Sequence, residues 1–359
     1  MPPSPGEKFQ LRRVTYSELS EVKRALLGIR KDCSTGNENK GEITLAIFAD
    51  YSKAFNTVDP EVLINKIFKL NFSKPFLHWL VSYLTDREQY DQINDKLSSK
   101  VTIQFGVPQG SILGPILFNL YVADMHQNVH SEEECLQYAD DSTLYHHCKV
   151  DELEVAKLDL EESLSTLSDW SSHINLVFNH TKTKMMVFTT RQMARYHGLD
   201  QEHRIEIGVN GKKIERVAQC KVLGMLFQQN LMWNNQITEL LSSCYGSISV
   251  LKKIKRFTPY HIRKQLAEAL ILSKLDYCNV LYHGMPEYLI RRLQRVENTA
   301  AGFVQRRYAN TEKTLELNWL PVKERIEFNI AKLAFKAIYF ENWRSYLQGQ
   351  CKTASQSIT

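Results

Sequence analysis

Gln137-Tyr138-Ala139-Asp140-Asp141-Ser142-Thr143-Leu144-Tyr145 decides how the rest of the chain is read. Apolar and polar residues alternate on both sides of the Asp-Asp pair, with Leu136 and Tyr138 before it and Leu144 after it. That alternation predicts strand, tight turn, strand. Two adjacent carboxylates at a hairpin tip repel each other unless they are solvated or hold a cation. Oxygen ligands of this kind suit Mg²⁺, which usually binds through one or two carboxylates plus substrate phosphates. Read alone, the stretch fits an ordinary polar turn equally well, because Asp is a common turn residue.

Outward from the hairpin, Ile43 to Ala49 is a nearly continuous apolar run ending at Asp50, the pattern of a buried strand with a carboxylate where it emerges. Asp59-Pro60 predicts a helix start, with Asp as the N-cap and Pro at the first helical position. Leu63, Ile64, Ile67 and Phe68 would form that helix's buried face, and Phe76 to Leu84 reads as a further amphipathic segment. Val101 to Phe105 is a second strand candidate running into Gly106-Val107-Pro108-Gln109-Gly110-Ser111. Glycines flanking Gln109 let backbone approach a ligand closely, and Ser111 is the expected N-cap of the apolar helix that follows. After the hairpin, Leu153, Ala156, Leu160, Leu164 and Leu167 repeat at helical spacing, with Asp151 and Glu154 as the expected capping box. Leu176–Phe178 and Met185–Phe188 read as strands joined by Asn179–Lys184, and Lys221–Phe227 as a strand broken by Gly224. Upstream, Leu19, Val22, Leu26 and Ile29 predict a helix over Tyr16–Ile29, followed by a loop from Asp32 to Gly41. From about Trp233 the pattern is helical almost throughout.

Composition narrows the class. The 359 residues are 43% hydrophobic with net charge +5, enough for a sizeable core. No apolar run approaches the roughly 20 residues a membrane helix needs, and the N-terminus lacks a signal pattern. Seven scattered cysteines without a C-x-x-C pair point to reduced thiols, hence an intracellular setting in cytoplasm or nucleus. Charge is uneven: residues 131–170 carry twelve Asp/Glu against two Lys, and residues 245–310 twelve Lys/Arg against four Asp/Glu. The basic stretch fits contact with a nucleic-acid backbone through Lys252, Lys253, Lys255 and Arg256. A solvated charged face is the alternative reading of any such cluster.

Taken together, Ala49-Asp50-Tyr51-Ser52-Lys53-Ala54-Phe55, Gly106-Val107-Pro108-Gln109-Gly110-Ser111, Tyr138-Ala139-Asp140-Asp141 and Asn179 through Lys184 occur in the order of motifs in reverse transcriptases. The chain resembles the polymerase of non-LTR (LINE-type) retrotransposons over about residues 43–340. Leu223-Gly224 with Trp233 resembles the primer-grip region. Leu272–Asn279, Leu293–Ala301 and Trp319–Val322 resemble thumb and post-polymerase sequence.

The resemblance implies an α+β fold: a right-hand polymerase palm, an antiparallel sheet with helices on one face, followed by a mostly helical thumb and C-terminal region. The division would be a residual upstream segment over 1–42, a palm over 43–230 and the helical part over 231–359. It implies an RNA-directed DNA polymerase using two Mg²⁺ ions, or Mn²⁺ in their place, held by Asp50, Asp140 and Asp141. The partners would be an RNA template, a DNA primer and a dNTP, with no membrane. Lys182 would protonate pyrophosphate, with Lys184 second. Phe55 would exclude a ribose 2′-hydroxyl, its alternative being a plain core Phe. Gln109, Gly110, Tyr138 and Ala139 would contact template or nucleotide. Two departures stand out: Asn56 replaces an acid usual after Ala-Phe, and only 49 residues precede Asp50 where the family places a fingers region, which looks like an internal deletion or two coding pieces joined across lost sequence. The alternative function is a catalytically impaired remnant that binds nucleic acid without polymerising.

Overall fold

The computed structural model describes residues 42–108, 110–129, 134–199 and 205–339. The helix expected at Tyr16–Ile29, the loop after it and Gln109 lie outside the described residues.

The described chain begins with β1 (Glu42–Ala49), then α1 (Pro60–Phe68), α2 (Lys74–Leu84) and α3 (Gly114–Tyr121). The hairpin β2 (Glu134–Tyr138) and β3 (Asp141–Lys149) follows, then α4 (Leu153–His173), β4 (Lys184–Phe188) and β5 (Glu215–Arg216). The strands make one sheet in the order β5-β4-β1-β3-β2. All pairings are antiparallel except β4 with β5. The architecture is α+β.

β1 lies between β3 and β4, and every residue from Ile43 to Ala49 is buried. A strand covered on both faces has no solvent side, which is why its sequence is a run rather than an alternation. Its single polar interior residue, Thr44, is satisfied by His147, Oγ1 to Nδ1 at 2.8 Å. Ile43, Leu45 and Ile47 meet Leu144 and Cys148 of β3, Met185 and Val187 of β4, and the apolar stripe Leu153, Ala156, Leu160, Leu164 and Leu167 of α4 in one core. Asp59 caps α1 as expected, accepting from the N–H groups of Glu61 (2.8 Å) and Val62 (3.4 Å).

Four local expectations are corrected. Phe68 closes α1 but is 51% exposed, because the buried face of the helix runs through Pro60, Leu63 and Ile67 and leaves Phe68 beside it. The strand expected over Val101–Phe105 is shorter, Val101–Ile103, and pairs with Arg87–Gln89 in a separate ribbon with little buried surface. The Asp151–Glu154 box does not form. A 3₁₀ turn over Val150–Glu152 leads into α4 instead, and the Lys149 N–H donates to Glu152 Oε2 at 3.2 Å. The run Lys221–Phe227 is not one strand: Leu223 and Gly224 both have positive φ (46° and 80°), so the chain reverses there.

The described residues fall into two compact units. One runs to Gly224 and includes Gln228–Leu231; the other holds Met225–Phe227 and the chain from Met232 onward. The second unit is built from α5 (Asn234–Ile254), α6 (Tyr260–Ala267), α7 (Glu287–Gln305) and α8 (Val322–Tyr339). α5 and α7 pack together through buried faces that include Leu241, Ile248, Leu293 and Val296. Gln236 sits inside this unit, accepting from the Leu226 N–H at 2.9 Å and bonding Tyr282 Oη at 3.1 Å, so its amide is paired at both ends. Among the described residues no helix is long and apolar enough to cross a membrane.

Candidate active site

The β1–β3 register sets Ala49 opposite Ser142, and the β2–β3 register sets Tyr138 opposite Asp141. Asp50 follows Ala49 and Asp141 precedes Ser142, so the two acids stand at neighbouring strand ends, where facing Cα atoms are roughly 5 Å apart. The turn between β2 and β3 is Ala139-Asp140. Ala139 has φ 52°, a left-handed conformation that two-residue hairpins favour but that normally selects Asn or Gly. The β2–β3 pairing sustains this strained turn and so sets the Asp-Asp pair at the end of the sheet.

Asp50 is pinned by its backbone. Its N–H donates to Thr183 Oγ1 at 3.2 Å, and its carbonyl accepts from the Asn179 N–H at 2.9 Å. The loop that does this is folded around the Asn179 side chain, whose Oδ1 accepts from the Lys182 N–H (3.2 Å) and from Thr181 Oγ1 (2.8 Å). Asn commonly bonds backbone two or three residues on, and here that habit builds the lysine loop. It leaves Lys182 Nζ 3.8 Å from Asp50 Oδ2 on an otherwise exposed side chain. Lys184 is engaged elsewhere, with Nζ 2.7 Å from the Thr181 carbonyl and 2.6 Å from Glu215 Oε2.

The electrostatics are those of crowded acids. Burial pushes Asp141 up to about 6, with Asp140 and then Asp50 adding to the shift. Asp140 is also raised, first by burial; its own backbone N–H and Lys182 pull it back, while Asp50 pushes it up. Asp50 Oδ2 is buried without a hydrogen-bond partner. Among the described residues no three carboxylate, imidazole or thiol groups lie close enough together to chelate one ion. The three aspartates therefore share one field without forming a closed cage, as mutual repulsion dictates. Their donor set is all carboxylate oxygen, one of it buried without a hydrogen-bond partner, which fits a hard divalent cation such as Mg²⁺ or Mn²⁺.

The glycine-rich loop is fastened to the turn that follows Asp50. The Gly106 N–H donates to the Val58 carbonyl at 2.7 Å and the Val107 N–H to the Phe55 carbonyl at 3.0 Å. Gly106 has φ +84°, and a Cβ there would lie 3.0 Å from Asn56 Cα, Asn56 O and Phe55 O. Ser111 acts at the start of α3, two residues upstream of the cap position held by Leu113: its Oγ accepts from the Gly114 N–H at 2.9 Å and donates to the Pro108 carbonyl at 2.7 Å. Phe55 is half-buried and stacks on Phe118, ring centroids 4.3 Å apart at 20°. Gly110 has φ +78° with open space where a Cβ would point. Tyr138 is half-buried at the hairpin.

Lys252, Lys253, Lys255 and Arg256 belong to the helical unit, at the end of α5. Lys255 is half-buried and the other three are exposed. Sequence reasoning had passed over Thr183 and the supporting role of Asn179. The Asn-x-Thr-Lys-Thr spacing carried the signal, but only the pairing of Asp50 with the loop reveals its purpose.

Residues 8–227 match the family profile described as reverse transcriptase (RNA-dependent DNA polymerase). The chain is similar to three Drosophila melanogaster proteins. The probable RNA-directed DNA polymerase from transposon BS is 29% identical, over 58% of this chain and 22% of the relative. The probable RNA-directed DNA polymerase from transposon X-element is 23% identical, over 82% and 31%. The RNA-directed DNA polymerase from mobile element jockey is 30% identical, over 56% and 21%. The chain thus spans less than a third of the length of each. Among solved structures, apo telomerase from Candida tropicalis aligns at 12% identity with a TM-score of 0.42, covering 93% of this chain and 56% of that one.

Proposed function

The chain belongs to the reverse transcriptase family, in its non-LTR, LINE-type branch, and from that premise we propose that it is an RNA-directed DNA polymerase. The observation that carries the proposal is the gathering of Asp50, Asp140 and Asp141 at one end of the sheet, with Asp50 Oδ2 buried and without a hydrogen-bond partner. In the reaction, a primer 3′-hydroxyl attacks the α-phosphate of a dNTP and pyrophosphate leaves. The three aspartates would share two Mg²⁺ ions, or Mn²⁺ in their place, which would neutralise charge on the attacking and leaving oxygens.

The protein's own contributions are positional. The Asn179 loop fixes the Asp50 backbone, and the strained hairpin fixes Asp140 and Asp141. Lys182, exposed and beside Asp50, would protonate the leaving pyrophosphate; Lys184, bound to Glu215, is the weaker candidate. Phe55, held flat by Phe118, would present its ring to the sugar and disfavour a 2′-hydroxyl. Gly110, Tyr138 and Ala139, with Gln109, would border template and nucleotide. Lys252, Lys253, Lys255 and Arg256 would contact nucleic-acid phosphates. The templates and primers this chemistry needs occur in cytoplasm and nucleus.

Primer extension on an RNA template with Mg²⁺ tests the proposal. The chain should extend the primer, and Asp140→Ala should lose extension by at least ~100-fold. Salt-sensitive binding with no extension by either protein would instead identify an impaired remnant.

A further inference from the structure

Two rings in the helical unit are left almost bare: Phe257 is 87% exposed and Tyr308 is 91% exposed. Neither stacks on another ring among the described residues. They are far apart in sequence, yet the structure ties their backbones together. The turn after α5 and the turn after α7 are stitched by two arginines. Arg306 donates from Nη2 to the carbonyls of Lys255 (2.8 Å), Arg256 (3.2 Å) and Thr258 (3.3 Å). Arg263, itself buried, donates to the Thr258 carbonyl at 2.5 Å and to the Val304 carbonyl through Nε (2.9 Å) and Nη2 (2.7 Å). Phe257 sits inside the stitched turn, and Tyr308 lies two residues beyond Arg306.

The same edge is cationic. Lys252, Lys253 and Arg256 are exposed and have no acidic partner among the described residues, whereas Arg307 is taken by Glu316 at 2.5 Å. Lys252 and Lys253 have a sufficient local reason to be there, since cations favour a helix C-terminus. That reason covers neither Arg256 nor two solvent-facing rings on a braced backbone. Bare aromatic faces beside unpaired cations match what an unpaired nucleic-acid strand requires: a surface for base stacking and charge for its phosphates. A duplex offers its bases no such access.

We propose that this edge binds single-stranded nucleic acid, with Phe257 and Tyr308 stacking on bases and Lys252, Lys253 and Arg256 meeting phosphates. The proposal rests on the nucleic-acid reading of the chain but not on its aspartates. It adds strand-state selectivity and two base-contacting side chains to a patch otherwise read as backbone contact alone.

The test uses the full chain, a fluorescent single-stranded RNA of about 12 nucleotides carrying 2-aminopurine, and a blunt duplex of the same sequence. Wild type should bind the single strand and quench 2-aminopurine. Phe257→Ala and Tyr308→Ala should each weaken single-strand binding roughly tenfold, relieve the quench and leave the salt slope unchanged. Phe257→Trp should restore both signals, while Phe257→Leu, equally apolar, should not. Lys252→Ala should weaken binding and lower the salt slope by about 0.7. Asp140→Ala should lose extension yet keep binding and quench, so failure of the polymerase reading and failure of this site give different results. Three results would each overturn the proposal. The first is unchanged binding and quench in both alanine variants. The second is an equal loss on the duplex. The third is Phe257-dependent self-association of the chain without nucleic acid, which would make the rings a protein contact.

Discussion

Asp141 shows how one side chain registers its neighbours. Its pKa, pushed up to about 6 by burial, Asp140 and Asp50, lies above the ordinary carboxylate range. The folded state therefore prefers it neutral. The stability this preference lends is complete below about pH 4 and is lost as pH rises through about 6. Asn is isosteric and stays uncharged. In EDTA, Asp141→Asn should unfold like wild type at pH 4 and be more stable at pH 8, by about 1 kcal/mol or less, because the side chain at the hairpin tip is only partly withdrawn from water, which screens its neighbours. Urea titrations at the two pH values read this directly. A variant less stable at pH 8 would show that the charge is favourably paired. The two lysines of the neighbouring loop teach a related lesson. Their spacing, Lys182 and Lys184, says only that both lie near a strand start. Their different fates, one beside Asp50 and one bound to Glu215, depend on residues 132 positions before and 31 after.

At the scale of elements, the joint between the Phe55 turn and the glycine loop is set by a close backbone approach. Gly106 combines a left-handed φ with a Cβ direction blocked by three main-chain atoms at 3.0 Å, and main chain cannot rotate away as a side chain would. Gly106→Ala should cost roughly 1–3 kcal/mol. Gly110→Ala, at a similar φ but facing open space, should cost less. Chemical denaturation of both variants checks the order, and equal losses would mean that φ alone matters. What the sequence disclosed follows from strong local signals. The apolar run of β1, the alternation of β2 and β3, the Asp59-Pro60 start and the leucine stripe of α4 each need only their own residues to be recognised. The misreadings concern outcomes chosen by competition. Val101–Phe105 has strand composition, but only a short ribbon partner is available to it. Asp151 is a sound cap, yet the 3₁₀ turn before α4 recruits Glu152 first. Leu223-Gly224 turns rather than continues because a non-glycine residue accepts positive φ, which composition does not announce.

For the molecule as a whole, the pooled carboxylates predict linkage between cation binding and folding. A ligand held only by the folded state stabilises it by about 2.7 kcal/mol at a hundred times its Kd. Mg²⁺ or Mn²⁺ should raise the melting temperature of the wild type and leave that of Asp50→Asn nearly unmoved, with K⁺ at equal ionic strength as control. Equal shifts in both proteins would remove Asp50 from the site. A last consequence follows from where β1 sits. Phe48 pairs with Thr143 on one side and with Lys184 on the other, 136 residues downstream. Such distant pairings are slow to form, because loop closure precedes any reward. During synthesis the ribosome must deliver all of that intervening chain before the innermost strand acquires its second neighbour. Until then a largely apolar strand is open along one edge, the kind of surface to which nascent chains adhere. The order of these strands therefore predicts that nascent chains ending before Phe188 retain bound chaperone and that chains extending well beyond it release it, which pull-down of stalled chains of the two lengths checks.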